Sequence, residues 1–201
     1  MTATLAQTAL QYAKAATTKG PNNQGAGQLS APKAWTPRRS PADRQDANMK
    51  VHHLKTMAPA QGASMADVVD YGRQVAKAGA GNCLEQCAAA ALYLTGQAAA
   101  PAFSLVMLEP PADHVFIAIG QADVGGAYPD SFAAWDPNAV IVDPWVGICC
   151  KAQNYPDLWK MKLGVMGAVG QELSDAGGWK KADDAHWTTA PNAHRKIKFN
   201  A

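Results

Sequence analysis

Three short stretches carry side chains able to act together on a carbonyl group: Gly81-Asn82-Cys83, Asp113-His114 and Val142-Asp143-Pro144-Trp145. A thiol becomes a useful nucleophile when its thiolate is stabilised near neutral pH. The unpaired N–H groups and positive dipole end of a helix N-terminus do this. Cys83 has the sequence context for such a place, because a Gly turn and a capping Asn82 precede it and an apolar helical stretch follows. An imidazole can take the thiol proton and return it to a leaving group, and a carboxylate can orient that imidazole. Cys83, His114 and Asp143 therefore form a candidate catalytic set for acyl transfer, a chemistry that needs no cofactor.

These residues work only if the chain brings them together. Ser64, with Asp67 in the first turn, predicts a capped helix whose buried stripe is Met65, Val68, Val69, Val75 and Ala76. The AGAG turn at 78–81 ends it, and a second helix follows from Cys83 to about Leu94, with Gly96 as its stop. Strands are expected at 103–108, 114–120 and 139–142, a loop at 120–138, a helix at 156–163, and an edge strand at 195–199. Helices first and antiparallel strands after them define an α+β domain. Antiparallel pairing with His114 opposite Asp143 would put Phe116 against Ile141 and Ala118 against Ala139. It would place these six residues on one face, and Val115, Ile117, Ile119, Val140 and Val142 on the other.

Gly-Asn-Cys opening a helix, then Asp-His-Val-Phe at a strand start, then Val-Asp-Pro-Trp at a strand end, resembles the papain-like thiol enzymes. Among them it is most similar to bacterial effector and toxin cysteine proteases and deamidases, with transglutaminases as relatives of similar design. The resemblance covers residues 64–150. It implies a papain-like fold, with N-terminal helices on a small antiparallel sheet and the nucleophile at a helix N-terminus. It assigns Cys83 as nucleophile, His114 as general base and Asp143 as orienting carboxylate. Two features depart from papain: the stretch between Cys83 and His114 is short, and Lys77 stands where papain-type proteases place an oxyanion Gln. Asn82 and Gln74 are the candidates for that missing donor, and Trp145 is a candidate wall of the cleft. The implied activity is deamidation of a Gln or Asn side chain in a target protein, with proteolysis and transglutamination as alternatives. The implied setting is a bacterial protein, secreted or translocated, acting in the reducing cytosol of a host or competitor cell. A cognate immunity protein or secretion chaperone is a further implied partner. The alternative from another class is an inactive papain-like binding or adaptor protein.

The rest of the sequence narrows the field. With 48% hydrophobic residues the chain can build a core, and a net charge of +2 gives no basis for nucleic-acid binding. No apolar run is long enough for a membrane span, and the N-terminus lacks the pattern of a Sec-type signal peptide. Cys87 reads as a core residue, and the adjacent pair Cys149 and Cys150 fits neither a disulfide framework nor a structural zinc site. No metal is expected, and four such cysteines suit a compartment that keeps thiols reduced. Glu85 reads as favourable helix-dipole chemistry, Asp136 as a turn residue, and His52, His53, His186 and His194 as surface or loop residues. Residues 1–19 are weakly helical, and 20–48 are rich in Pro, Gly, Asn and Gln. Residues 1–48 are therefore expected to be a flexible arm or linker, a secretion or delivery segment, ahead of a catalytic domain at 49–201.

Overall fold

The computed structural model describes residues 2–26, 41–60, 62–109, 112–122, 128–175 and 177–200. The chain opens with helix α1 (Thr2–Ala16), strand β1 (Gln24–Ala26) and helix α2 (Pro41–Lys55), followed by α3 (Met65–Ala78) and α4 (Cys83–Thr95). Strands β2 (Phe103–Leu108), β3 (His114–Ile119), β4 (Val140–Asp143) and β5 (Ile148–Lys151) come next. Helix α5 (Tyr155–Ala168), strands β6 (Gln171–Asp175) and β7 (Gly178–Lys181), the short α6 (Ala185–Thr188) and strand β8 (Arg195–Asn200) complete it. Among the described residues this is a mixed α+β fold of six α-helices and two antiparallel sheets, ordered β5-β4-β3-β2-β8 and β1-β6-β7.

Local chemistry sets the helix ends. The Ser64 hydroxyl accepts from the Asp67 N–H at 3.3 Å, and the Asp67 carboxylate accepts from the Ser64 N–H at 2.9 Å. Gly79, at φ 76°, ends α3 in a left-handed turn. The buried stripe of α3 is Val68, Tyr71, Gly72 and Val75, whereas Met65, Val69 and Ala76 are half-buried. Four consecutive alanines, Ala88 to Ala91, are fully buried in α4. A Cβ at Gly72 would stand 2.3 Å from the Ala88 carbonyl oxygen, so α3 and α4 touch nearly backbone to backbone.

The large sheet separates two cores. Val115, Ile117, Ile119, Val140 and Val142 pack with α1, α3 and α4 on one side. Phe116, Ala118 and Ile141 pack on the other with Tyr155, Trp159 and Leu163 of α5 and with the aromatic loop around Phe132 and Trp135. The expected division of faces is therefore present, but the register is not the one expected. Ile117 pairs with Val142, Ala118 with Ile141 and Ile119 with Val140. His114 and Asp143 are not direct cross-strand partners: the strands are displaced by two residues from the expected pairing. A two-residue shift returns each side chain to the same face, so apolar alternation cannot distinguish the two registers.

Within the stretch 1–48 expected as a flexible arm, residues 2–26 and 41–48 are described, and they form elements of the fold. Ala6, Ala9, Leu10 and Ala13 of α1 are buried in the same core as α4 and β4, and β1 pairs with β6. The Gly20 carbonyl accepts from the Gly81 N–H at 3.3 Å, and the Lys19 N–H donates to the Gly79 carbonyl at 2.8 Å. Alanines carry a weak apolar signal, yet their small side chains let helices approach closely. α2 is anchored by Ala47, Val51 and Leu54. Residues 27–40, including Trp35, Arg38 and Arg39, lie outside the described residues. Strand β5 and the β1-β6-β7 sheet occupy stretches the sequence presents as irregular, while β8 is an edge strand as expected.

Candidate active site

Cys83 is the first residue of α4, and a compact set of contacts fixes that helix start. The buried Glu85 carboxylate accepts from the Asn82 N–H at 2.8 Å with one oxygen and from the Tyr71 hydroxyl at 2.9 Å with the other. Glu85 is thus a capping residue rather than a solvated dipole partner. Gly81 is required by close approach, since a Cβ there would lie 2.4 Å from the Glu85 Cβ. The Gln86 side chain closes the turn by donating to the Gly81 carbonyl at 2.8 Å.

His114 opens β3, directly after Asp113, whose φ of 38° is in the left-handed region. Such a φ is uncommon away from glycine and turns the chain sharply into the strand. The His114 imidazole Nε2 lies 2.8 Å from Asp143 Oδ2. The same carboxylate oxygen accepts from the Tyr155 hydroxyl at 2.7 Å, while Oδ1 accepts from the backbone N–H of Trp145 at 3.1 Å and of Val146 at 3.4 Å. Asp143 is 0% exposed, so these donors replace the water it has lost. The imidazole packs against Trp159 and Trp145, with ring centroids 4.8 and 5.2 Å away.

Electrostatics follows from this arrangement. Burial alone would pull the His114 pKa down. The charge and hydrogen bond of Asp143 oppose it, joined by interaction with nearby Cys83, and push the value up to about 10. Burial, then the Asp143 charge, raises Tyr155 well above its ordinary value and keeps it a neutral donor. With Nε2 engaged by Asp143, Nδ1 is the imidazole nitrogen left for the thiol.

Cys83 and His114 line one cleft of about 720 Å³, within the range of small-ligand sites. Asn82, Trp145, Trp159 and Trp187 are also in its walls. Trp145 is held by its indole N–H, which donates to Asn23 Oδ1 at 2.9 Å, and by the Gln24 amide, which donates to its carbonyl at 3.0 Å. Gln74 is not brought here: it is exposed on α3 and lines a separate groove with Met57 and Pro59. Asp113 is exposed and lines the cleft, and Asp136 accepts from the Asn138 N–H in a turn.

The other thiols have different surroundings. Cys87 is fully buried with its sulfur 3.3 Å from the Val115 carbonyl oxygen, and burial raises its pKa well above the usual value. Cys149 and Cys150 are half-buried on β5, and burial pushes Cys150 up to about 12. All four cysteines are free. Among the described residues no three His, Cys, Asp or Glu side chains gather as metal ligands, and no helix is long and apolar enough to cross a membrane. Beside Trp187, His186 Nε2 lies 2.5 Å from Asp175 Oδ2.

Sequence reasoning missed Tyr155, Trp159 and Asn23. Tyr155 and Trp159 lie one turn apart at the start of α5, which marks one helical face but gives no sign that it reaches Asp143. Asn23 sits in a polar, proline-containing stretch with no distinguishing pattern. Comparison of the sequence with protein-family models and with curated proteins finds no match.

Proposed function

We propose that the chain is a cysteine-nucleophile acyl-transfer enzyme of papain-like design that deamidates a Gln or Asn side chain of a target protein. The observation that carries this reading is the buried His114–Asp143 pair at 2.8 Å beside Cys83, the residue that opens α4. Cys83 thiolate attacks the carboxamide carbon, and the C=O electron pair moves onto oxygen. The backbone N–H of Cys83 at the helix start stabilises that oxyanion. As the carbonyl re-forms, the C–N bond breaks and the His114 imidazolium protonates the departing nitrogen, which leaves as ammonia. Water, deprotonated by His114, then attacks the thioester, giving the carboxylate and regenerating the thiolate. Asp143 holds the imidazole in orientation and stabilises its charged form.

Proteolysis would use the same steps on a backbone amide, and transglutamination would replace water with an amine. Deamidation is favoured by the resemblance to effector and toxin enzymes of residues 64–150. On that reading the protein is a bacterial effector, secreted or translocated, whose substrate is a protein in the cytosol of another cell. A cognate immunity protein or secretion chaperone would accompany it.

The test is ammonia release from a cytosolic protein extract, followed by intact mass of the modified protein. Wild type is expected to release ammonia and add about one dalton per modified site. Cys83→Ala is expected to abolish release while keeping the thermal transition of the wild type. Fragments in place of the mass gain would reassign the enzyme as a protease, and full activity in Cys83→Ala would end the thiol reading.

A further inference from the structure

The backbone N–H of Cys83 can supply one donor to an oxyanion, but such sites usually present at least two. We infer that the Asn82 side-chain amide is the second donor, and that the N-terminal segment helps fix which end of that amide faces the substrate. This inference rests on the thiol reading above and deepens it.

Asn82 precedes Cys83 and lines the same cleft, yet it is only 7% exposed. Its Oδ1 accepts from the backbone N–H of Asn22 at 3.0 Å. A backbone N–H can only donate, so it selects the oxygen end of the carboxamide and turns Nδ2 away from Asn22. Among the described residues Nδ2 has no hydrogen-bond partner, and it is not a sealed-off orphan. A polar side chain buried to this degree, walled into a cleft and with its two N–H groups uncommitted, is a donor awaiting an acceptor. A tetrahedral intermediate on Cys83 would place its oxyanion at the start of α4, where Asn82 is the capping residue.

Asn22 is a positioning residue in this scheme, and its segment is firmly tied. The Gly20 carbonyl accepts from the Gly81 N–H, Asn23 holds the Trp145 indole, and β1 is paired with β6. The N-terminal chain thus reinforces, from outside α4, the polarity that the Glu85 N–H of the capping box also favours for the Asn82 amide.

Two electrophiles separate oxyanion binding from thiol activation. Iodoacetamide alkylates sulfur by displacing iodide and forms no oxyanion. With p-nitrophenyl acetate, sulfur attacks the ester carbonyl, an oxyanion forms, the C–O bond breaks, and p-nitrophenolate leaves with its electron pair. The variants are Asn82→Ala and Asn82→Ser, the latter retaining a side chain able to cap the helix. Both are expected to alkylate Cys83 within about twofold of wild type and to acylate it at least about tenfold more slowly, the loss of one oxyanion donor. Asn22→Pro, which removes the orienting N–H, is expected to slow acylation in the same sense. Equal acylation in wild type and both Asn82 variants would overturn the inference. So would a matched loss of both reactions, which would mark Asn82 as a support of the thiol alone. If wild-type Cys83 reacts with neither reagent faster than Cys149 and Cys150, the underlying thiol reading fails with it.

Discussion

Asp143 is the most heavily committed side chain in the site, with His114, Tyr155 and two backbone N–H groups as donors. That commitment has a pH signature through His114, whose folded-state pKa is raised to about 10 by Asp143 and Cys83 against the desolvating effect of burial. A raised value means that the folded state binds the proton more tightly than the unfolded state does. The stability linked to His114 is therefore fully present below about pH 6.5, the ordinary histidine value, and is lost as pH rises through about 10. Chemical denaturation of wild type and His114→Gln across this window should show a stability gap that narrows steadily from pH 6.5 towards 10. A gap that stayed constant would contradict the charged pair. The types and order of Cys83, His114 and Asp143 were legible in the sequence. Tyr155 was not, because its partner lies across a turn and a strand, and no local pattern encodes that approach.

At the scale of elements, the capped starts of α3 and α4 and the extent of β2 could be read from sequence, since capping and apolar runs are local properties. The register of β3 on β4 could not, because two registers two residues apart bury the same faces. The turn after β4, where the Trp145 and Val146 N–H groups close on Asp143 and Gly147 takes a φ of 76°, leaves no mark in the alternation either. Strand β5 was hidden for a related reason: Ile148-Cys149-Cys150-Lys151 is short and has no strict alternation. The contact of α3 with α4 makes its own prediction. Gly72→Ala should destabilise the fold by about 1–3 kcal/mol, because the new methyl meets the Ala88 carbonyl oxygen, which is backbone and cannot swing away. Urea unfolding would measure it, and an unchanged midpoint would mean that the helices are less closely apposed.

At the scale of the whole molecule, the N-terminal residues belong to the body that carries the site. α1 covers α4, β4 and β5, and the segment after it holds Asn82 and Trp145. Deleting residues 1–26 should therefore remove the cooperative thermal transition, as followed by circular dichroism; a detachable arm would leave it intact. The sequence hid this role because the polar residues from Asn22 to Gln24 are held through hydrogen bonds rather than apolar burial, and hydropathy does not register such contacts. Cys83 and His114 meet at one cleft, with the fully buried Asp143 behind the imidazole, and the layers on both sides of the large sheet hold them there. The reactivity of the sulfur, read residue by residue with iodoacetamide and mass spectrometry at pH 6, tests this directly. Cys83 should label at least about tenfold faster than Cys149 and Cys150, and His114→Gln should erase the advantage, because the proposed mechanism makes His114 the group that activates the thiol. Equal, slow labelling of the three thiols, unchanged by His114→Gln, would contradict the account.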